Sequence, residues 1–230
     1  SNLDAYLMRE SGLPGPRANL ELAHAAAKAC GESDFQRWLA LDADQAPTNS
    51  QPAFLVVCGL IGFGRLLVEG KRDALPVLRR FANDPRWRMR EGVVLALQYS
   101  GDFNLAELLT EMQVWAAGSL YEKRAAAAVL CEPRLLRKPE QVHEVLGLLD
   151  GITSSLLDEA DRKAEPFRVL RQSLGYCWSV AVVALPEEGL PLMEKWLSSP
   201  DRDLAWMMRE NLKKTRLQRL APDWVARWKQ

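Results

Sequence analysis

Two histidines, His24 and His143, are the entire imidazole supply of the chain, and neither has a Cys, His, Asp or Glu partner at a spacing diagnostic of zinc. No metal centre is expected. The four cysteines, Cys30, Cys58, Cys131 and Cys177, stand far apart in apolar contexts without a Cys-x-x-Cys pair, and read as buried free thiols of a reducing, cytoplasmic setting. No Gly-x-Ser-x-Gly elbow supports a nucleophilic serine, although triad residues can meet in space from anywhere in a chain. Gly59, Gly62 and Gly64 follow no strand and are misspaced for a dinucleotide fingerprint, so close helix packing explains them and no cofactor is expected. The acidic run Asp158, Glu159, Asp161 and Glu165, mixed with Arg162 and Lys163, reads as a solvated helix face.

What must position any site is nearly all helix. Apolar residues recur at three-and-four spacing, no stretch alternates as a strand would, and Gly or Pro breakers divide the chain at helix-length intervals. About a dozen short helices follow, each needing a neighbour to cover its apolar face. With 230 residues, 48% of them apolar, the chain can bury a sizeable core. Leu55 to Val68 is the longest apolar run; at fourteen residues, with Arg65 inside it, it is short for a bilayer span. The first residues do not read as a secretory signal. Asp42 to Gln51 reads as a flexible loop, and the apolar run Leu174 to Leu185 as a central helix.

Three segments align without gaps: Asp84 to Arg90, Gly118 to Arg124 and Asp203 to Arg209. Each carries an aromatic at its fourth position (Trp87, Tyr121, Trp206) and an arginine at its seventh, and each follows a Leu-rich helix. Asp84 followed by Pro85 reads as a helix start, with the carboxylate as N-cap and proline at the first helical position. Arg90, six residues on, is then placed to reach the capping carboxylate of its own or a neighbouring repeat, building a ladder of ion pairs. Glu165 to Arg171 repeats the offset in a degenerate unit.

This helix, Asp turn, helix unit resembles HEAT and HEAT-like (bilin-lyase-type) repeats, with Gly118 departing from the Asp of the pattern. The resemblance implies a right-handed α-solenoid over residues 1–230: diverged or capping repeats over 1–70, the clearest repeats over 71–133, degenerate ones over 134–186, and a C-terminal repeat and cap over 187–230. It also places the second helix of each pair on a concave surface.

Thirty basic residues balance thirty acidic ones, so a charge-driven partner must use a local patch. Residues 71–100 carry seven basic groups against three acidic, and 201–230 eight against four. Arg86 and Arg90 share one helical face, as do Arg209, Lys213 and Arg216. The expected binding face therefore consists of Arg86, Trp87, Arg90, Tyr121, Arg124, Trp206, Arg209, Lys213 and Arg216. A non-enzymatic scaffold for a protein partner, possibly acidic, is the leading expectation, with no membrane involved. A nucleic-acid partner is the alternative, since HEAT-like alkylpurine DNA glycosylases pair a basic groove with aromatics, although their catalytic Trp and Asp cannot be placed here. A lyase or chaperone role for a bilin rests on the repeat type alone.

Overall fold

In the computed structural model, which describes residues 2–229, the chain is all-α, with fourteen helices, one 3-10 turn and no strand among the described residues. Its contacts divide it into two compact units, residues 1–104 and 105–230.

The first unit contains α1 (Asn2–Arg9), α2 (Leu20–Ala29), α3 (Glu32–Leu39), α4 (Gln51–Val68), α5 (Ala74–Ala82) and α6 (Trp87–Gly101). Its hub is α4, on which all the others pack. Apolar all round, α4 starts with Pro52 in its first turn, where a missing N–H costs nothing, and every residue from Ala53 to Gly64 is buried. Length and composition would let α4 cross a membrane, but its apolar surface is largely spent on neighbouring helices. The glycines make that approach possible. A Cβ at Gly64 would fall 2.3 Å from the Ala96 carbonyl oxygen of α6, and one at Gly62 would fall 2.6 Å from the Phe35 ring of α3.

Asp4 joins α1 to α3. Burial opposes its ionisation, but hydrogen bonds from the Arg37 guanidinium and Trp38 Nε1 (2.8 Å) outweigh that cost and hold its carboxyl far below the usual range. Because the folded-state pKa is depressed, the stabilisation is complete above the ordinary value of 3.8 and is lost as the pH falls through the folded-state value. Asp4→Asn should therefore destabilise the protein at pH 7, with the difference from wild type closing progressively below about pH 4 in urea unfolding followed against pH. A gap that stays constant down to pH 2 would show that the ionised carboxylate contributes nothing.

The second unit contains α7 (Leu105–Ala116), α8 (Leu120–Leu130), α9 (Pro139–Ser155), the 3-10 turn Leu156–Asp158, α10 (Glu165–Ala184), α11 (Pro186–Leu197), α12 (Arg202–Leu212), α13 (Thr215–Leu220) and α14 (Pro222–Trp228). Here the pairing is regular. α7 packs on α8, α9 on α10 and α11 on α12; the first helices contact one another in the order α7, α9, α11, and the second in the order α8, α10, α12. The unit is thus a two-layer stack of helix pairs. The centre of the second layer is α10, buried from Cys177 to Val182 as its apolar run anticipates.

One side chain ties α10 to α12 through the backbone. Asn211 accepts from the Ser179 N–H (2.8 Å) and donates to the Leu174 and Met207 carbonyls (2.9 Å each), all fully buried. Its amide therefore occupies a donor and an acceptor inside the hydrogen-bond ladder of α10.

The helix starts differ from the aligned pattern. Asp84 lies three residues before the first helical residue, and its Oδ1 accepts from the Arg86 N–H (2.8 Å) in a turn; Pro85 precedes the helix. In the C-terminal unit the N-cap is Asp201, accepting from the Asp203 and Leu204 N–H groups, while Asp203 lies inside the helix. A gapless alignment keeps the side chains in register but not the helix boundaries, because α12 begins four positions earlier in the pattern than α6 does. The acidic run 158–165 is also not a helix face. Asp158 ends the 3-10 turn, Glu165 opens α10, and Glu159 and Asp161 lie in the connection between them, where Asp161 Oδ1 accepts from the Lys163 and Ala164 N–H groups (3.1 Å each).

Candidate functional site

The nine residues singled out by charge and aromatic spacing divide between the units. Arg86, Trp87 and Arg90 belong to the first, and the other six to the second.

In the first unit the arginines are structural. Arg86 is only 7% exposed; its Nε and Nη2 bind the two oxygens of Asp84 (2.9 and 2.8 Å), and its Nη1 donates to the carbonyls of Leu41, Asp42 and Ala46. Arg90 is buried and donates to the carbonyls of Asp84 and Pro85 (2.8 and 3.0 Å). The expected partnership is thus exchanged: Arg86 takes the carboxylate of the turn and Arg90 takes its backbone. Arg88, not anticipated, is buried too, holding Thr48 O, Gly15 O and Asn49 Oδ1 at 3.0 Å, and burial lowers its pKa. Together Arg86 and Arg88 anchor the chain from Leu41 to Asn49, which covers most of the flexible loop expected from Asp42 to Gln51.

Trp87 is the outward member of this cluster. It is 47% exposed, with the Arg88 guanidinium 4.4 Å from its ring centre. It borders a groove of about 340 Å³ between the start of α2 and the outer face of α6, lined by Leu20, Val57, Glu91, Gly92 and Leu95.

The second unit holds a different kind of surface. On α12 the buried side is Leu204, Ala205, Met207, Met208, Asn211 and Leu212, which leaves Trp206, Arg209 and Lys213 along one outward stripe. Arg171 of α10 lies over the Trp206 ring at 4.3 Å and pairs with Asp203. Arg162 reaches Asp201 (2.6 Å) and Asp203 (3.1 Å), holding the Asp201 carboxyl below its ordinary pKa although burial opposes this. An ion pair does link α10 to α12, but it joins Arg171 to Asp203, which lies inside α12 and not at its cap, while Arg209 stays exposed with no ion pair among the described residues.

Next along α10 is Tyr176, 43% exposed, whose hydroxyl accepts from Arg216 Nη2 (2.6 Å). The Arg216 and Lys214 cations lie 4.6 and 5.8 Å from its ring centre. Glu210 is the acid on this stretch, held by Lys213 Nζ at 2.5 Å and packed against Gly175. Tyr121 and Arg124 lie half-buried on α8, in the same layer as α10 and α12. Beside the stripe, Arg209, Leu212, Lys213, Trp228 and Lys229 line a cleft of about 440 Å³. Sequence inspection missed Tyr176 because it sits inside an apolar run, and missed Arg171 as a surface cation because its offset from Glu165 marked it as a ladder residue.

Chemically, cations and aromatic planes dominate this face, and no group of three or more His, Cys, Asp or Glu side chains able to hold a metal ion occurs among the described residues. Trp178 of α10 is buried, with its Nε1 donating to Thr153 Oγ1 (3.0 Å). Compared with known families and with curated proteins, the chain matches no family model and no curated relative.

Proposed function

We propose that the chain is a non-enzymatic binding module, a right-handed superhelical stack of HEAT-like repeats, whose second helices in the C-terminal unit receive an acidic segment of a protein partner. The observation that carries this reading is the outward stripe of α12 with its neighbours on α10 and α13: Trp206 under Arg171, Tyr176 under Arg216, and Arg209 and Lys213 between them. Exposed Trp and Tyr flanked by arginine are the residue types that dominate interface energetics. Aromatic planes also supply contact area at low entropic cost. Arg86 and Arg90 are left out of the binding face because their donors are already used within the fold.

A polyglutamate peptide is the direct probe. It should bind at low salt and weaken steeply as salt rises, because surface charges more than a Debye length apart are screened. Arg209→Glu combined with Lys213→Glu should weaken binding at least tenfold, about 1.4 kcal/mol, with little change in melting temperature since both side chains are exposed. Equal binding by the double variant would remove this face from the reading.

The nucleic-acid alternative is favoured by one observation, the groove beside the exposed Trp87 that presents a single carboxylate, Glu91. Duplex DNA would then bind with log affinity falling against log salt by about 0.9 per phosphate contact, and a methylated base would be released. Without binding at low salt, that alternative fails.

A further inference from the structure

Arg88 is a buried cation whose hydrogen bonds all go to neutral groups. Only 5% of it is exposed, and its Nε and Nη2 hold the Thr48 and Gly15 carbonyls and the Asn49 side-chain oxygen, with no carboxylate paired to it among the described residues. A guanidinium carries five N–H groups, and these bonds use three of them. The two on Nη1 make no hydrogen bond among the described residues. Buried charges are ordinarily paired, so an uncompensated one beside a cavity marks a place for an anion. Arg88 lines such a cavity, the groove of about 340 Å³ beside Trp87.

The walls of the groove are fixed by the fold. Val57 of α4 and Gly92 of α6, both buried, form its floor, and the half-exposed Leu20 and Trp87 stand at its edges. The segment from Pro16 to Leu20 is pinned at both ends: Arg88 Nη2 donates to the Gly15 carbonyl (3.0 Å), the Gly15 N–H donates to Asn49 Oδ1 (3.3 Å), and the Asn19 N–H donates to the Ser11 carbonyl (2.8 Å). A preformed wall lowers the ordering cost of binding. The volume is that of a small-molecule site.

Charge then selects the ligand. The lining holds two cations, Arg17 and Arg88, against one acid, Glu91, and Arg17 is exposed with no ion pair among the described residues. We infer that this groove is a binding site for a small aryl monocarboxylate, with its ring beside Trp87 over Val57, Gly92 and Leu95 and its carboxylate on Arg88 Nη1 and Arg17. A second negative charge on the ligand would meet Glu91, which selects against phosphate monoesters. The Trp87 plane selects a flat aromatic body, since paired rings gain more than their buried area alone. The site lies wholly in the first unit, whereas Arg209 and Lys213 belong to the second.

Isothermal titration of the whole chain with 2-naphthoate, 2-naphthamide and decanoate at low salt tests this. Naphthoate should bind at a single site, and the amide, with the same rings but no charge, should bind at least about tenfold more weakly, the worth of one charge-assisted hydrogen bond. Decanoate, with the charge but no ring, should also bind more weakly than naphthoate. Arg88→Met would remove structural bonds as well as the ligand's, so two other variants locate the site. Leu95→Glu, at a half-buried position, sets a carboxylate in the groove and should abolish naphthoate binding with the helical circular dichroism spectrum retained. Arg17→Gln, at an exposed position, should weaken it by roughly threefold to tenfold. No naphthoate binding at millimolar concentration, equal binding of the amide, tighter binding of decanoate, or unchanged affinity in both variants would overturn the proposal. Displacement of naphthoate by polyglutamate would overturn it too, by placing the ligand on the outer face of the second unit.

Discussion

Arg86→Met is expected to destabilise the protein by about 3–5 kcal/mol, the range found when one partner of a buried ion pair is removed. The guanidinium is almost wholly buried and satisfies five acceptors: both Asp84 oxygens and the carbonyls of Leu41, Asp42 and Ala46. Methionine fills much of the volume but removes all five guanidinium contacts, leaving Asp84 only the backbone N–H of residue 86 and the Asp42 carbonyl only the Ala46 N–H. Asp84→Asn sharpens the test. If Asp84 only capped a helix, asparagine would replace it at a few tenths of a kcal/mol. Because Asp84 also carries the ion pair with Arg86, the asparagine variant should cost about 1–3 kcal/mol, and a double-mutant cycle with Arg86→Met should show strong coupling. Guanidinium-free chemical denaturation with urea measures all three, and additive effects would show that the two side chains act independently.

Asn211→Leu should cost about 2–4 kcal/mol, although leucine is of similar size and the site is fully buried. Three hydrogen bonds disappear together. The Ser179 N–H and the Leu174 carbonyl lie inside α10, where no water reaches them, so their loss carries the desolvation cost of buried polar groups. The variant also tests how α10 is held. Should the helix re-close its own ladder once the amide is gone, the cost would fall below about 1 kcal/mol and Asn211 would prove dispensable.

These two expectations could not have been written from the sequence, and the reason is the same in each. Arg86 reads as a surface cation because four-residue spacing to Arg90 places both on one helical face, and spacing says nothing about what lies opposite. The carbonyls that bury Arg86 come from residues some forty positions away. Asn211 follows Arg209 in a charged helix and carries no local signature; its partners belong to another helix.

Other features needed no tertiary information. All-round apolarity in α4 and from Leu174 to Leu185 requires both segments to be central helices, because no other placement removes those surfaces from water. Close packing at Gly62 and Gly64 follows from glycines within a helical run, and the Phe35 ring and the Ala96 backbone occupy the space their side chains would need. Trp87 and Trp206 share a position in the repeat pattern and share an environment, each outward with an arginine over its ring, although their helices begin at different points.

The sequence by itself determined the secondary structure class, the central helices and the aspartate turns that precede α6 and α12, because each is written in local periodicity and in breakers only a few residues apart. The tertiary structure alone decided which cations are spent and which are exposed. It buried Arg86 and Arg90, gave the ion pair between α10 and α12 to Arg171, and left Arg209 in the open beside Trp206. A charge is satisfied by whatever acceptors the fold brings within about 3 Å, and that distance is set by the packing of whole helices, which no local pattern encodes.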